Sequence, residues 1–201
     1  MLPFVLNTHR VYVKPARFLV RNSHKSQIPV SWEKPKIGWT KLNFDGSSKG
    51  RESRASIGGI FRNHKGEPLL AFAESIGRKS SMVAEGAALR RGLELAIENR
   101  WNNVWLEGDA KELLDIIELK RDIKCMEVRK QVGGINLIIP AFDNCILSHV
   151  YREGNRVADK LAQLGHECEE SHVWFGDLPL DVMQIVHEDA YGKIVFRKNR
   201  H

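Results

Sequence analysis

The chain is poor in features that would place it outside the cell or in a membrane. Among 201 residues there are three cysteines, Cys125, Cys145 and Cys168, odd in number, far apart and without a Cys-x-x-Cys spacing. That pattern fits reduced thiols in an intracellular protein better than a disulfide framework. No apolar run approaches the roughly 18–20 residues that a helical membrane span needs. Internal repeats and low-complexity tracts are lacking as well. Acid is scarce at both ends: residues 1–36 hold seven Lys/Arg against Glu33 alone, and residues 191–201 hold four Lys/Arg and no acid. The overall charge of +6 therefore hides a middle, 37–190, with a net charge of −4. A nucleic-acid binder normally has a basic body. An acidic body meets a polyanion only through bound cations, so the charge pattern directs attention to a metal site.

What is present divides into three parts. Residues 1–36, broken by Pro3, Pro15 and Pro29, read as a basic, poorly ordered extension. It is a linker remnant of a longer parent, with an organelle transit peptide as the second reading. Residues 37–168 carry the ordered pattern. "WTKLNFDG", "ASIGGIFRN" and "PLLAFAES" alternate as three strands with turn-rich links, an antiparallel meander. The period then becomes helical in "SSMVAEGAALRRGLELAIENR", followed by a strand, "NNVWLEGD", and a helix, "AKELLDIIELK". A weaker helix over 126–139 is interrupted by Gly133-Gly134 and ended by Pro140. The strand "NCILSHVY" and the helix "NRVADKLAQLGH" complete the series, with Asn155 as the expected cap. A meander followed by α/β alternation predicts an α/β fold with a five-stranded mixed sheet flanked by helices. Residues 169–201 read as a C-terminal extension, a short helix and a basic tail.

Four acids in this framework resist an ordinary explanation when taken together. Asp45 ends the first strand, where Asp-Gly is otherwise a plain turn signal. Glu85 heads the core-facing stripe of Ala88, Leu89, Gly92 and Ala96, where an unpartnered acid is costly. Asp109 follows the fourth strand and could serve only as a helix cap. Asp159 lies among Val157, Ala158, Leu161 and Ala162. In the expected sheet, strands one and four are neighbours, so the four carboxylates can converge. Their repulsion would need hard divalent cations, Mg²⁺ or Mn²⁺, bound by oxygen alone. Two such ions about 4 Å apart suit in-line attack on a phosphodiester, one activating the water and the other stabilising the leaving oxygen.

The patches "WTKLNFDGSSKG", "AEGAALRRGLELA", "VWLEGDAKELL" and "HVYREGNRVADKLA", in this order and spacing over residues 37–166, resemble type 1 ribonuclease H domains. The resemblance is to the version found at the ends of plant LINE-type retroelement polyproteins and in related stand-alone genes. It implies endonucleolytic cleavage of the RNA strand of an RNA–DNA hybrid with two Mg²⁺, and Asp45, Glu85, Asp109 and Asp159 as catalytic metal ligands. It further implies that Gly46, Ser47 and Ser48, in a turn, bring amides and hydroxyls to the substrate backbone, where a 2′-OH distinguishes RNA from DNA. Arg152 and Asn155 are added as candidate nucleic-acid contacts.

Two departures from the family pattern stand out. Many relatives carry a loop histidine before the last acid. Here His149, ten residues before Asp159, is a candidate for that role, but it falls in an apparent strand, with Arg152 in the loop. The basic helix that grips the hybrid in some relatives is replaced by "KRDIKCMEVRK", basic but interleaved with acids. The basic leader or tail would supply phosphate contacts instead. The expected protein is a monomer in the nucleus or cytoplasm, with a reverse-transcriptase-like parent or partner. The competing reading is a retroelement-derived domain, or a truncated gene product, that binds nucleic acid without cutting it.

Overall fold

The computed structural model describes residues 11–14, 27–50, 54–119 and 121–197. Expectations for the remainder of the leader and for the last four residues of the tail lie outside the described residues. The five expected strands are all present: β3 (Thr40–Lys49), β4 (Arg54–Arg62), β5 (Pro68–Arg78), β6 (Asn103–Gly108) and β7 (Asn144–His149). The meander β3–β4–β5 is antiparallel, and β6 and β7 join it in parallel. The expectation of five strands needs correction at the edges. β1 (Val11–Lys14) pairs in parallel with β7, and β8 (His172–Trp174) pairs with β5. The sheet therefore has seven strands in the order β1-β7-β6-β3-β4-β5-β8. A separate two-stranded sheet joins β2 (Ile28–Val30) to β9 (Val195–Arg197). Three-residue strands carry too little alternation to be read from sequence.

Helices cover both faces of the sheet. On one side lie α1 (Ser81–Glu98), α2 (Lys111–Leu119) and α3 (Met126–Ile138). Their core includes Leu42, Phe44, Leu89, Leu93, Leu106, Leu113 and Ile135, none of them exposed to solvent. α3 runs straight through Gly133-Gly134, because Val128, Val132 and Ile135 are buried against α1 and that packing outweighs the glycine cost. On the other side lie α4 (Arg156–Leu164) and α5 (Leu180–Ala190), over Ile60, Ala71, Val157, Leu161, Val182 and Val186. Gly58 permits this packing. A Cβ there would stand 2.2 Å from the Ala162 nitrogen, so only glycine lets α4 cross β4 so closely.

The packed unit extends past both ends of the expected 37–168 region. Trp32 is buried before it, and Val182, Val186 and Asp189 are buried after it. Among the described residues, no helix is long and apolar enough to cross a membrane.

Candidate active site

The parallel pairing of β3 with β6 places the ends of these two strands side by side. Asp45 lies within β3, and Asp109 directly follows β6. The first turns of α1 come down on the same point, bringing Glu85. Gly46 makes this approach possible, since a Cβ on it would stand 2.3 Å from both the Ala84 carbonyl carbon and the Glu85 nitrogen. Ligand oxygens of Asp45, Glu85 and Asp109 all lie within 4.8 Å of one another.

Burial and neighbouring carboxylates raise the proton affinity of Asp45 and Glu85. Asp45 is pushed up to about 10, first by burial and then by the charges of Glu85, Asp109 and Asp159. The Asp109 side chain, as a hydrogen-bond partner, raises Asp45 further. Glu85 is pushed up to about 8 by burial and by Asp109, with the Gly46 N–H pulling the other way. The Glu85 Oε2 atom is buried and has no hydrogen-bond partner. A buried acceptor left unsatisfied among acids costs free energy that a hard cation would recover. The donor set is oxygen alone, which fits Mg²⁺ or Mn²⁺.

The expected fourth member sits apart from this group. Asp159, in the first turn of α4, accepts hydrogen bonds from the Arg152 guanidinium and from Gln163 Nε2 at 2.7 Å. Its charge reaches Asp45 and Glu85, but its oxygens are engaged by Arg152 and Gln163. The cluster is thus three acids with a fourth flanking it. Asp159 is paired with Arg152, whose side chain is 70% exposed and whose charge also reaches Glu85.

The remaining candidates also fall differently from their expected positions. The stretch Asp45–Ser48 is strand, not turn. β3 continues to Lys49 and pairs residue by residue with β4, with Ser47 opposite Ser56. The Gly46 amide serves Glu85, and the Ser47 hydroxyl meets His166 Nε2 at 2.9 Å. The Ser48 hydroxyl donates to the Lys79 carbonyl at 2.9 Å. All three groups are already engaged within the protein.

His149 ends β7 opposite Gly108. Its ring bonds the Asp109 backbone and meets Tyr151 edge-on at 5.5 Å, so the ten-residue spacing to Asp159 does not put it in a loop. Burial holds its pKa down. Asn155 is the residue before α4, but its side chain makes no cap. It is 1% exposed and donates to the Phe44 carbonyl at 2.9 Å and towards Asp109 Oδ1 at 3.5 Å. A nucleic acid cannot reach it. The one signal for this placement in the sequence is its spacing of four from Asp159, which puts both on one side of α4.

Comparison with known proteins identifies the family and the fold. The family profile described as "Reverse transcriptase-like" matches residues 43–165. A protein of Arabidopsis thaliana named "Putative ribonuclease H protein" is 29% identical over 85% of this chain, which spans 27% of that protein's length. Ribonuclease HI of Halobacterium salinarum is 25% identical, with 73% of each chain covered. The crystal structure of RNase H1 from that archaeon superposes with a TM-score of 0.61 at 26% identity, over 64% of this chain and 98% of the other. The resemblance drawn from the four acidic patches and the mixed-sheet fold both stand.

Proposed function

The chain belongs to the reverse transcriptase-like family, and on that premise we propose that it is a ribonuclease H that cleaves the RNA strand of RNA–DNA hybrids with divalent cations. The observation that carries the proposal is the triad of buried Asp45 with half-buried Glu85 and Asp109, whose oxygens lie within 4.8 Å of one another and whose Glu85 Oε2 atom is buried without a partner. An acid cluster that served only folding would be expected to carry its own cations. These three side chains would hold a first ion. Asp159, once parted from Arg152, is the remaining carboxylate for a second.

Bound Mg²⁺ would supply a lowered pKa for the attacking water and charge neutralisation at the leaving oxygen. The protein's share is to fix the three carboxylates on the rigid β3–β6 pair and α1, and to hold Asp159 in reserve on α4. The reading of a reverse-transcriptase-like parent or partner is supported by the family description.

The test uses a labelled RNA–DNA hybrid, with Mg²⁺ or with EDTA. The wild type should release RNA fragments only with Mg²⁺. Asp109→Asn should cut more slowly by roughly 10³-fold, the size of several kcal/mol of lost charge stabilisation. A wild type that binds the hybrid but leaves it intact in Mg²⁺ would favour a binding domain instead.

A further inference from the structure

Beneath the acid triad, on the α4 side of the sheet, lies a second set of buried polar groups. Asn43 is its centre and is fully buried. Its Oδ1 accepts from Trp32 Nε1 at 2.7 Å and from Arg62 Nη2 at 2.8 Å. Its Nδ2 donates to Glu107 Oε1 at 3.1 Å and to Asn155 Oδ1 at 3.3 Å. Arg62, 1% exposed, is paired with Asp189 of α5 at 2.9 Å, and its guanidinium lies 3.7 Å from the centre of the Trp32 ring. Asp189 is also held by Arg156 at 2.7 Å. Trp32 and Asp189 both fall outside the 43–165 span that matches the family.

The direction of each amide in this set is forced. Two donors at Asn43 Oδ1 leave only one orientation for that side chain, with its Nδ2 facing Glu107 and Asn155. Asn43 Nδ2 then fixes Asn155 with Oδ1 inward and Nδ2 outward. The outward Nδ2 meets the carbonyl of Phe44, the residue next to Asp45, and approaches Asp109. Were Asn155 reversed, its oxygen would face two acceptors. Donors supplied from the N-terminal segment and from β4 thus determine what the acid triad sees.

We propose that Asn43 and Asn155 are positioning residues for the triad, held in orientation by Trp32 of the N-terminal extension and by Arg62 of β4, which Asp189 of the C-terminal extension holds in place. This rests on the cation-site reading above and adds to it that the extensions are part of the catalytic unit. Neither asparagine touches the cation or the substrate; Asn155 acts through Asp109 and through the peptide that carries Asp45.

The test is calorimetric titration of the full chain with Mn²⁺ alone, without nucleic acid. Asn155→Ala and Asn43→Ala should each weaken Mn²⁺ binding by about tenfold, the low end for loss of a partner that orients a ligand. The double variant should lose little more than either single one, because the two act in series. Asp189→Asn should weaken binding by less. Val186→Ala, which opens the same α5 packing away from the network, should lower the melting temperature and leave Mn²⁺ affinity unchanged. Unchanged affinity in Asn43→Ala, additive losses in the double variant, or an equal loss in Val186→Ala would each overturn the proposal while leaving the cation site in place. A wild type that takes up no Mn²⁺ would overturn the cation site itself and the proposal with it.

Discussion

Two charged regions adjoin in this protein, and they are built on different principles. In the region under α4 and α5 every buried charge is paired, although Arg62 Nε and Arg156 Nε have no hydrogen-bond partner. Lys41, with no exposure, meets Glu107 at 2.7 Å, the Glu33 carbonyl at 2.8 Å and the Trp105 ring at 3.7 Å. Arg62 meets Asp189, Asn43 and Trp32. Each cation has an anion and an aromatic face. The region at the end of β3 and β6 has three acids and an orphaned Glu85 oxygen. Buried charge that is paired within the protein serves the fold and positions the triad, whereas a cluster of like charges marks where a cation binds.

Removing one partner from the paired region should have the largest effect on stability. Glu107→Ala strands Lys41, whose pKa burial already lowers to about 8 against the pull of Glu107. Loss of one member of such a pair costs about 3–5 kcal/mol, or roughly 10 °C in melting temperature for a chain of this size. Thermal unfolding followed by circular dichroism measures it. A drop of only a degree or two would mean that the network is dispensable to the fold.

The acid cluster should respond in the opposite direction, and with pH. Asp45 and Glu85 have folded-state pKa values of about 10 and about 8, raised above ordinary carboxylate values. Groups raised in this way contribute stability at acid pH and lose it as pH rises through the folded values. Cation-free protein should therefore melt lower at pH 9 than at pH 6. The stabilisation by Mg²⁺ should be larger at pH 9, where fewer protons compete. Asp45→Asn should raise the melting temperature of the cation-free protein at pH 9 by a few degrees, about 2–4 °C for each kcal/mol of repulsion removed. It should also abolish most of the Mg²⁺ effect. A flat pH profile in EDTA would put the two regions on the same footing.

The smallest effect is expected between the regions, at Arg152. Its pairing with Asp159 is largely exposed on the arginine side, and such pairs contribute within about 1 kcal/mol. Arg152→Ala should leave the melting temperature nearly unchanged. A loss of several degrees would show that Arg152 belongs to the fold.

The sequence carried the central sheet and the acids because both rest on periodicity and on the cost of misplaced charge. Glu85 at the head of an apolar stripe was legible as an acid in need of a partner. The parallel β3–β6 pairing that brings Asp109 to it follows from the meander and crossover order. Contacts made by side chains across long sequence separations were not legible. Nothing near Asp159 announces that Arg152 pairs with it, and Asn155 reads as a cap until its 111-residue reach to Phe44 is seen. Asp45-Gly46 looks like a turn because the local signal is the same. The pairing of Ser47 and Ser48 with β4 is what extends the strand. The chain ends were underestimated because Trp32 and Asp189 are buried by charged partners, not by an apolar repeat.

The central claim is that the triad, and not the paired network adjoining it, is where a divalent cation binds. The most direct test is crystallographic, with Mn²⁺ soaked into the protein and located by its anomalous scattering. The expected result is a peak among the carboxylates of Asp45, Glu85 and Asp109, with Mg²⁺ in its place at ligand distances of about 2.1 Å, and no such peak in Asp45→Asn. A wild-type map without a peak there, or with one only at surface acids, would contradict the account.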